Sequence, residues 1–206
     1  MTSPQIIETQ TGMAAVFVLA VAWFFLHKYA QSAIKPTLKK AARGDVEAQY
    51  QMGKIYYFGK HTDKDPFRAF TWFETAARGG HVKAQIALAG LYNAGDGTDQ
   101  NEEQAFYWYN RAAQSGDFEA RVNVAICYLQ GVGTQKDSAK GFALLKQAAD
   151  DKSPLAQTLT ARAYETGDGT EKNEAEAFRY YMLAARQGEP IAKKALKEWE
   201  LHHSKS

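Results

Sequence analysis

The stretch Ala76–Arg111, AARGGHVKAQIALAGLYNAGDGTDQNEEQAFYWYNR, decides the reading, because its small and aromatic residues return along most of the chain at an interval of 36 residues. Ala48, Ala84, Ala120, Ala156 and Ala192 form one series, Tyr56, Tyr92, Tyr128 and Tyr164 a second, and Gly59, Gly95, Gly131 and Gly167 a third. The later part of the unit keeps step through Phe70, Phe106, Phe142 and Phe178, then Ala76, Ala112, Ala148 and Ala184. Self-similarity at a period in this range marks a solenoid of stacked units. Four units over residues 44–188 and a truncated fifth over 189–206 therefore fill the chain from Gly44 to its end.

Each unit reads as two helices. From Asp45 to Phe58 the apolar positions Ala48, Met52, Ile55 and Tyr56 follow the spacing of one helical face. Gly59 stops that helix by accepting a left-handed conformation. The second helix begins near Pro66, a residue suited to a first turn, and carries Ala69, Phe70, Trp72, Phe73, Ala76 and Ala77. Its equivalents are expected at Glu102–Gln114, Ser138–Asp150 and Glu174–Gln187, and a last helix at Glu189–His202 caps the array with a polar outer surface. No alternation of strand type competes, so the fold class is all-α, and one elongated domain is expected.

Composition narrows the function. Lys and Arg number 25 against 23 Asp and Glu, a net charge of +2, so the basic footprint of a nucleic-acid binder is missing. The single cysteine, Cys127, occupies a position held by Ile55, Leu91 and Ala163 in the other units, and reads as a small core residue. No intramolecular disulfide can form, in keeping with a reducing compartment.

Residues 1–11 read as a short N-terminal tail and 12–30 as a single transmembrane helix. Between Glu8 and Lys28 lie 19 residues without a formal charge apart from neutral His27. At their centre is the apolar run Met13–Leu26, with Phe17, Leu19, Trp23, Phe24, Phe25 and Leu26. The stretch spans roughly 28 Å as a helix, close to a hydrocarbon core of about 30 Å. The aromatic end suits the headgroup level, and the preceding residues lack the basic start of a cleaved signal peptide. Lys28, Lys35, Lys39, Lys40 and Arg43 all follow the run, which predicts repeats on the cytoplasmic side. Residues 31–43 form a juxtamembrane half repeat, because Ala33, Ile34 and Ala41 are in register with Ala69, Phe70 and Ala77; Pro36 is expected to kink or end the helix leaving the membrane.

The segment ALAGLYNAGDG from residue 87 with AFYWYNRAA from 105 resembles the Sel-one-like repeat (SLR), a relative of the tetratricopeptide repeat, over Ala41–Ala195. Departures are local: His61 replaces a turn Gly, Lys152 replaces a Gly at the start of unit four, and Leu144 replaces a Trp. The resemblance implies a right-handed α/α solenoid of helix pairs acting as a scaffold for other proteins, frequently in bacterial envelope, secretion, signalling or membrane-complex assemblies.

Candidate chemistry is sparse. The acidic turns Gly95–Glu103 and Gly167–Glu174 lack the ligand spacing of a calcium loop and read as helix starts. Gly131–Gly133 follows a helix and has no phosphate-loop Lys, and the histidines are scattered. Neither catalysis, a cofactor nor a metal site is expected. Recognition falls to positions where units differ. By analogy with tetratricopeptide arrays the first helices line the concave face, where residues 47, 51, 54 and 58 and their equivalents make a stripe. In unit two this stripe is Lys83, Ala87, Gly90 and Ala94, bare enough to floor a groove for a partner's helix or extended segment. Lys54, Tyr57, Asn93, Asn123 and Arg162 are the candidate polar anchors around it; tight packing between first helices is the competing use of the small residues.

These readings combine into a single-pass scaffold, expected in a bacterial inner membrane, that recruits or stabilises a protein partner of a membrane complex. Two alternatives stand beside it. One is an envelope-facing module that stacks cell-wall glycan on Tyr50, Tyr57 and Phe58; the other is an accessory subunit of a multisubunit, for example respiratory, membrane enzyme, held mainly through its anchor helix.

Overall fold

The computed structural model describes Val21 and residues 32–203. The named anchor residues, Met13, Phe17, Leu19, Trp23, Phe24, Phe25 and Leu26, lie outside the described residues. Among those described, no helix is long and apolar enough to cross a membrane.

Helical residues 32–41 (α1) are followed by α2 (Val46–Phe58), α3 (Pro66–Arg78), α4 (Val82–Ala94) and α5 (Glu102–Gln114). Then come α6 (Phe118–Gln130), α7 (Ser138–Asp150), α8 (Pro154–Thr166), α9 (Glu174–Arg186) and α10 (Pro190–His203). The boundaries repeat because the caps repeat. Asp65, Asn101, Asp137 and Asn173 each accept a hydrogen bond from the backbone N–H three residues on, at 2.9 to 3.0 Å. Asp45, His81, Asp117 and Ser153 do the same for the first helices. Each such bond satisfies a donor that a helix start would otherwise leave open.

Both non-glycine departures keep the glycine backbone: His61 has φ 63° and Lys152 φ 64°. Lys152 stands where Gly44, Gly80, Gly116 and Gly188 take φ of 90–97°. A left-handed residue with a Cβ costs about 1–2 kcal/mol, part of which Gly gives back through its freer unfolded chain. Lys152→Gly is therefore expected to stabilise the protein by about 0.5 kcal/mol, a small rightward shift of the urea midpoint. A destabilised variant would show that the Lys152 side chain makes up for its backbone.

By its contacts the chain divides into two compact units, Met1–Gly79 and Gly80–Ser206, where one domain was expected. The division falls between the first and second repeats. In the first unit Ile34, Ala41, Ala48 and Met52 form the core, with Ile55, Tyr56 and Trp72 packed against them. The helix of residues 32–41 runs through Pro36, which does not end it. Ala33, in register with fully buried Ala69, is exposed.

In the second unit the pairs α4/α5, α6/α7 and α8/α9 pack within themselves, and α5/α6, α7/α8 and α9/α10 join them. Val122, Ala125, Leu145, Ala148, Ala156, Ala161 and Tyr180 make a continuous core there. Alanines at the crossings let helix axes approach, and the rings fill the layers between: Phe106 meets Tyr128 edge-on at 5.4 Å and Phe142 meets Tyr164 at 5.1 Å. Cys127 is buried, and burial, with Glu102 nearby, pushes its thiol pKa up, which leaves little thiolate to react. At the end Ala192 is buried and the Trp199 ring lies 4.5 Å from that of Phe178, as a capping helix requires.

Polar latches cross the joints. Gln49 donates to the Ala41 carbonyl at 3.2 Å and Gln157 to the Ala149 carbonyl at 3.3 Å. Gln157 also accepts from Gln187 at 2.8 Å, while Arg121, at the equivalent of Gln157, forms an ion pair with Asp151. Both partners lie 30 residues downstream, so the first helix of one repeat is tied to the helix end that closes it.

Candidate functional site

Within the second unit the variable stripe of first helices opens into a groove between α6 and α8, with a cavity of about 390 Å³. Ile126, Leu129 and Leu159 supply its apolar lining; Gln130, Arg162, Thr166 and Asp168 supply its polar groups. Of the proposed anchors, Arg162 is the one that lines this cavity. Asn123 turns back, donating to the Glu119 carbonyl of its own helix at 3.1 Å. Ala87 and Gly90 are half-buried on α4, and Asn93 is exposed near its end. A Cβ added at Gly90 would meet only the Tyr109 hydroxyl, at 3.8 Å. Among the described residues, no atom of a neighbouring first helix comes within 4 Å of that Cβ.

Lys54 and Tyr57 belong to the first unit. Lys54 lies 5.5 Å from the Tyr50 ring centroid, and the Tyr57 ring stands edge-on to Phe58 at 5.0 Å and to Phe73 at 6.4 Å. Tyr50 also leans on Phe73, at 5.8 Å. Two of the three rings assigned to glycan stacking thus pack against a buried neighbour, and Phe58, 70% exposed, is the one that projects.

Leu129 was not singled out by the sequence reading, and its presence in the groove has a visible cause. The position held by Ala69, Ala105 and Ala177 is Gly141 in the third repeat. A Cβ there would sit 2.8 Å from Leu129 Cγ and 2.9 Å from the Ala125 carbonyl oxygen. The missing methyl group lets α7 close on α6 around Leu129. That glycine was the signal in the sequence that could have found Leu129.

Charge around the groove is mixed. Tyr181 donates to Glu165 at 2.8 Å; burial first, then this bond, raise its pKa, while Arg162 pulls it the other way. Tyr109 is likewise raised, chiefly by burial. Such a surface can hold an apolar side chain on its floor while hydrogen-bonding a peptide at its edge.

The sequence profile of the Sel1 repeat matches residues 46–81, 82–117, 118–153 and 154–189. The chain belongs to the Sel1 repeat family. Sel1 repeat proteins are generally protein-interaction scaffolds. A Sel1 repeat protein from Oxalobacter formigenes is 31% identical over 80% of this chain, with a TM-score of 0.76, and 65% of that protein is covered. A protective antigen of uropathogenic Escherichia coli with an SLR fold is 33% identical over 75% of this chain, with a TM-score of 0.72; the chain spans 33% of its length. Helicobacter pylori cysteine rich protein B shares the fold at 18% identity over 64% of this chain and 95% of that one, with a TM-score of 0.50. No curated protein matches the sequence.

Proposed function

We propose that this Sel1 repeat protein is anchored by its N-terminal apolar run with the repeats on the cytoplasmic side, and that it recruits or stabilises a protein component of a membrane complex. The groove between α6 and α8 carries the reading. Its floor of Ile126, Leu129 and Leu159 has room for one branched or aromatic side chain of a partner segment, and Arg162 stands ready at its edge. The uncharged stretch before Lys28 and the cations after it support the anchor and its orientation. A bacterial inner membrane fits the bacterial source of the structural neighbours.

The test is cross-linked capture from membranes by the full chain and two variants. Leu159→Asp, which puts a charge on the groove floor, is expected to lower recovery of a specific partner about tenfold or more. Gly90→Trp, which fills the space on α4, reports on the second repeat. Full recovery with both variants would remove the concave stripe as the binding surface. Protease digestion of a C-terminal tag in intact spheroplasts would instead overturn the cytoplasmic orientation.

A further inference from the structure

The first hairpin differs from the others at its tip. Phe58 ends α2 and Phe67 opens α3, and they are 70% and 71% exposed, the most exposed large hydrophobic side chains among the described residues. In the following repeats the same positions hold Ala94, Gln130 and Thr166, then Glu103, Ala139 and Ala175. The turn between the two rings carries Lys60 and Lys64, and Arg68 follows. Lys64 lies 5.3 Å from the Tyr57 ring centroid and Arg68 5.4 Å from that of Tyr56. Of the turn's two acids, Asp65 is engaged as the cap of α3 and in an ion pair with Arg68 at 3.3 Å, while Asp63 is exposed between Lys60 and Lys64, so the three cations outnumber the acids. Charge follows the same division: residues 32–79 hold nine Lys and Arg against five Asp and Glu, residues 80–203 fourteen against seventeen.

The location of this tip follows from the packing of the first unit. The chain reverses between α1 and α2, since the Asp45 N–H donates to the Lys40 carbonyl and Gln49 to that of Ala41. The early part of α2 thus lies beside the end of α1. Ile34, two turns earlier on α1, shares a cluster with Met52, Ile55 and Tyr56, late on α2. The Tyr56 carbonyl accepts from the Asp65 N–H at 2.9 Å, which holds the turn against α2. The tip is therefore at the end of the unit where the chain enters α1, and the apolar run closes at Leu26, with five residues between it and residue 32.

We infer that the tip of the α2–α3 hairpin docks on an anionic bilayer, Phe58 and Phe67 entering the headgroup region while Lys60, Lys64 and Arg68 meet lipid phosphates. The inference rests on the anchor reading proposed above. Aromatic rings flanked by cations are suited to that depth, and the cytoplasmic leaflet supplies the negative charge. The contact would hold the first repeat against the membrane.

The test uses the full chain in Cys127→Ala form, reconstituted in vesicles of phosphatidylcholine with or without phosphatidylglycerol. A fluorophore is attached at Asp63→Cys in the first turn or at Gln135→Cys, its exposed equivalent two periods on. Spin-labelled lipid is expected to quench position 63 about threefold more than position 135, to depend on phosphatidylglycerol, and to lose that excess in Phe58→Ser/Phe67→Ser. Both rings are exposed, so the double variant should melt like the parent. Equal quenching at 63 and 135 in protein that resists alkaline carbonate extraction would overturn the docking and leave the anchor standing. Extraction by carbonate would overturn the anchor reading itself, and phosphatidylglycerol-dependent quenching at 63 would then support docking by the tip alone.

Discussion

Gly169→Ala is expected to cost about 3–4 kcal/mol of unfolding free energy, as is Gly133→Ala, whose added Cβ would meet the Glu102 carbonyl one repeat earlier in the same way. The turn after α8 presses on the start of α7. A Cβ at residue 169 would overlap the Ser138 carbonyl oxygen, lie 2.6 Å from the carbonyl carbon and approach Phe142 Cβ to 3.0 Å. Backbone atoms cannot swing aside, so the joint between the third and fourth repeats must open. The φ of 76° adds strain for Ala. His61, at the equivalent position with φ 63°, shows that the conformation alone is tolerated; the overlap is what forbids a side chain. Because an array is held by nearest-neighbour joints, the variant should lose cooperativity, with the segment beyond α7 melting first. Urea unfolding followed by circular dichroism and by fluorescence, with Trp199 the one tryptophan of the four that lies beyond α7, reads both effects. A single transition within about 1 kcal/mol of the parent would sink the argument.

The second large effect is in the first repeat. A Cβ at Gly53 would lie 2.5 to 2.6 Å from two atoms of the Phe73 ring, which is 3% exposed. Equivalent pairs are Ala89 with Tyr109, Ala125 with Leu145 and Ala161 with Tyr181. Overpacking costs about 1–3 kcal/mol or more, and the helix propensity of Ala returns up to about 1. Gly53→Ala should therefore destabilise by about 2 kcal/mol net. Phe73→Leu recreates the pairing of the third repeat, so the double variant Gly53→Ala/Phe73→Leu should be more stable than the sum of the single changes by about 1 kcal/mol or more. Strict additivity would mean that the ring moves away freely.

The period made most of the fold legible. Expected bounds for α5 and α7 coincide with those observed, and α9 ends one residue early, at Arg186. The agreement has a local cause: each end is set by a cap residue that recurs at the same interval, as Asp65, Asn101, Asp137 and Asn173 do. The candidate site was less legible. The stripe containing Ile126, Gln130, Leu159, Arg162 and Thr166 was readable from helical spacing, and all five line the groove. Asn123 and Lys54, on the same stripe, spend their side chains on the Glu119 carbonyl and near the Tyr50 ring. Spacing places a residue on a face; it does not say what that residue reaches for.

By itself the sequence determined the repeat count, the helix pairs, their caps and the buried alanine and aromatic series, because these depend on neighbours within a few turns and recur until they cannot be missed. Tertiary structure alone decided that Arg121 meets Asp151, that Gln157 meets Gln187, that Leu129 enters a groove because Gly141 makes room, and that Phe58 and Phe67 are left projecting at the tip. Those outcomes depend on volume and hydrogen-bonding capacity contributed by residues on other helices, and a one-dimensional period carries no information about which of them arrive together.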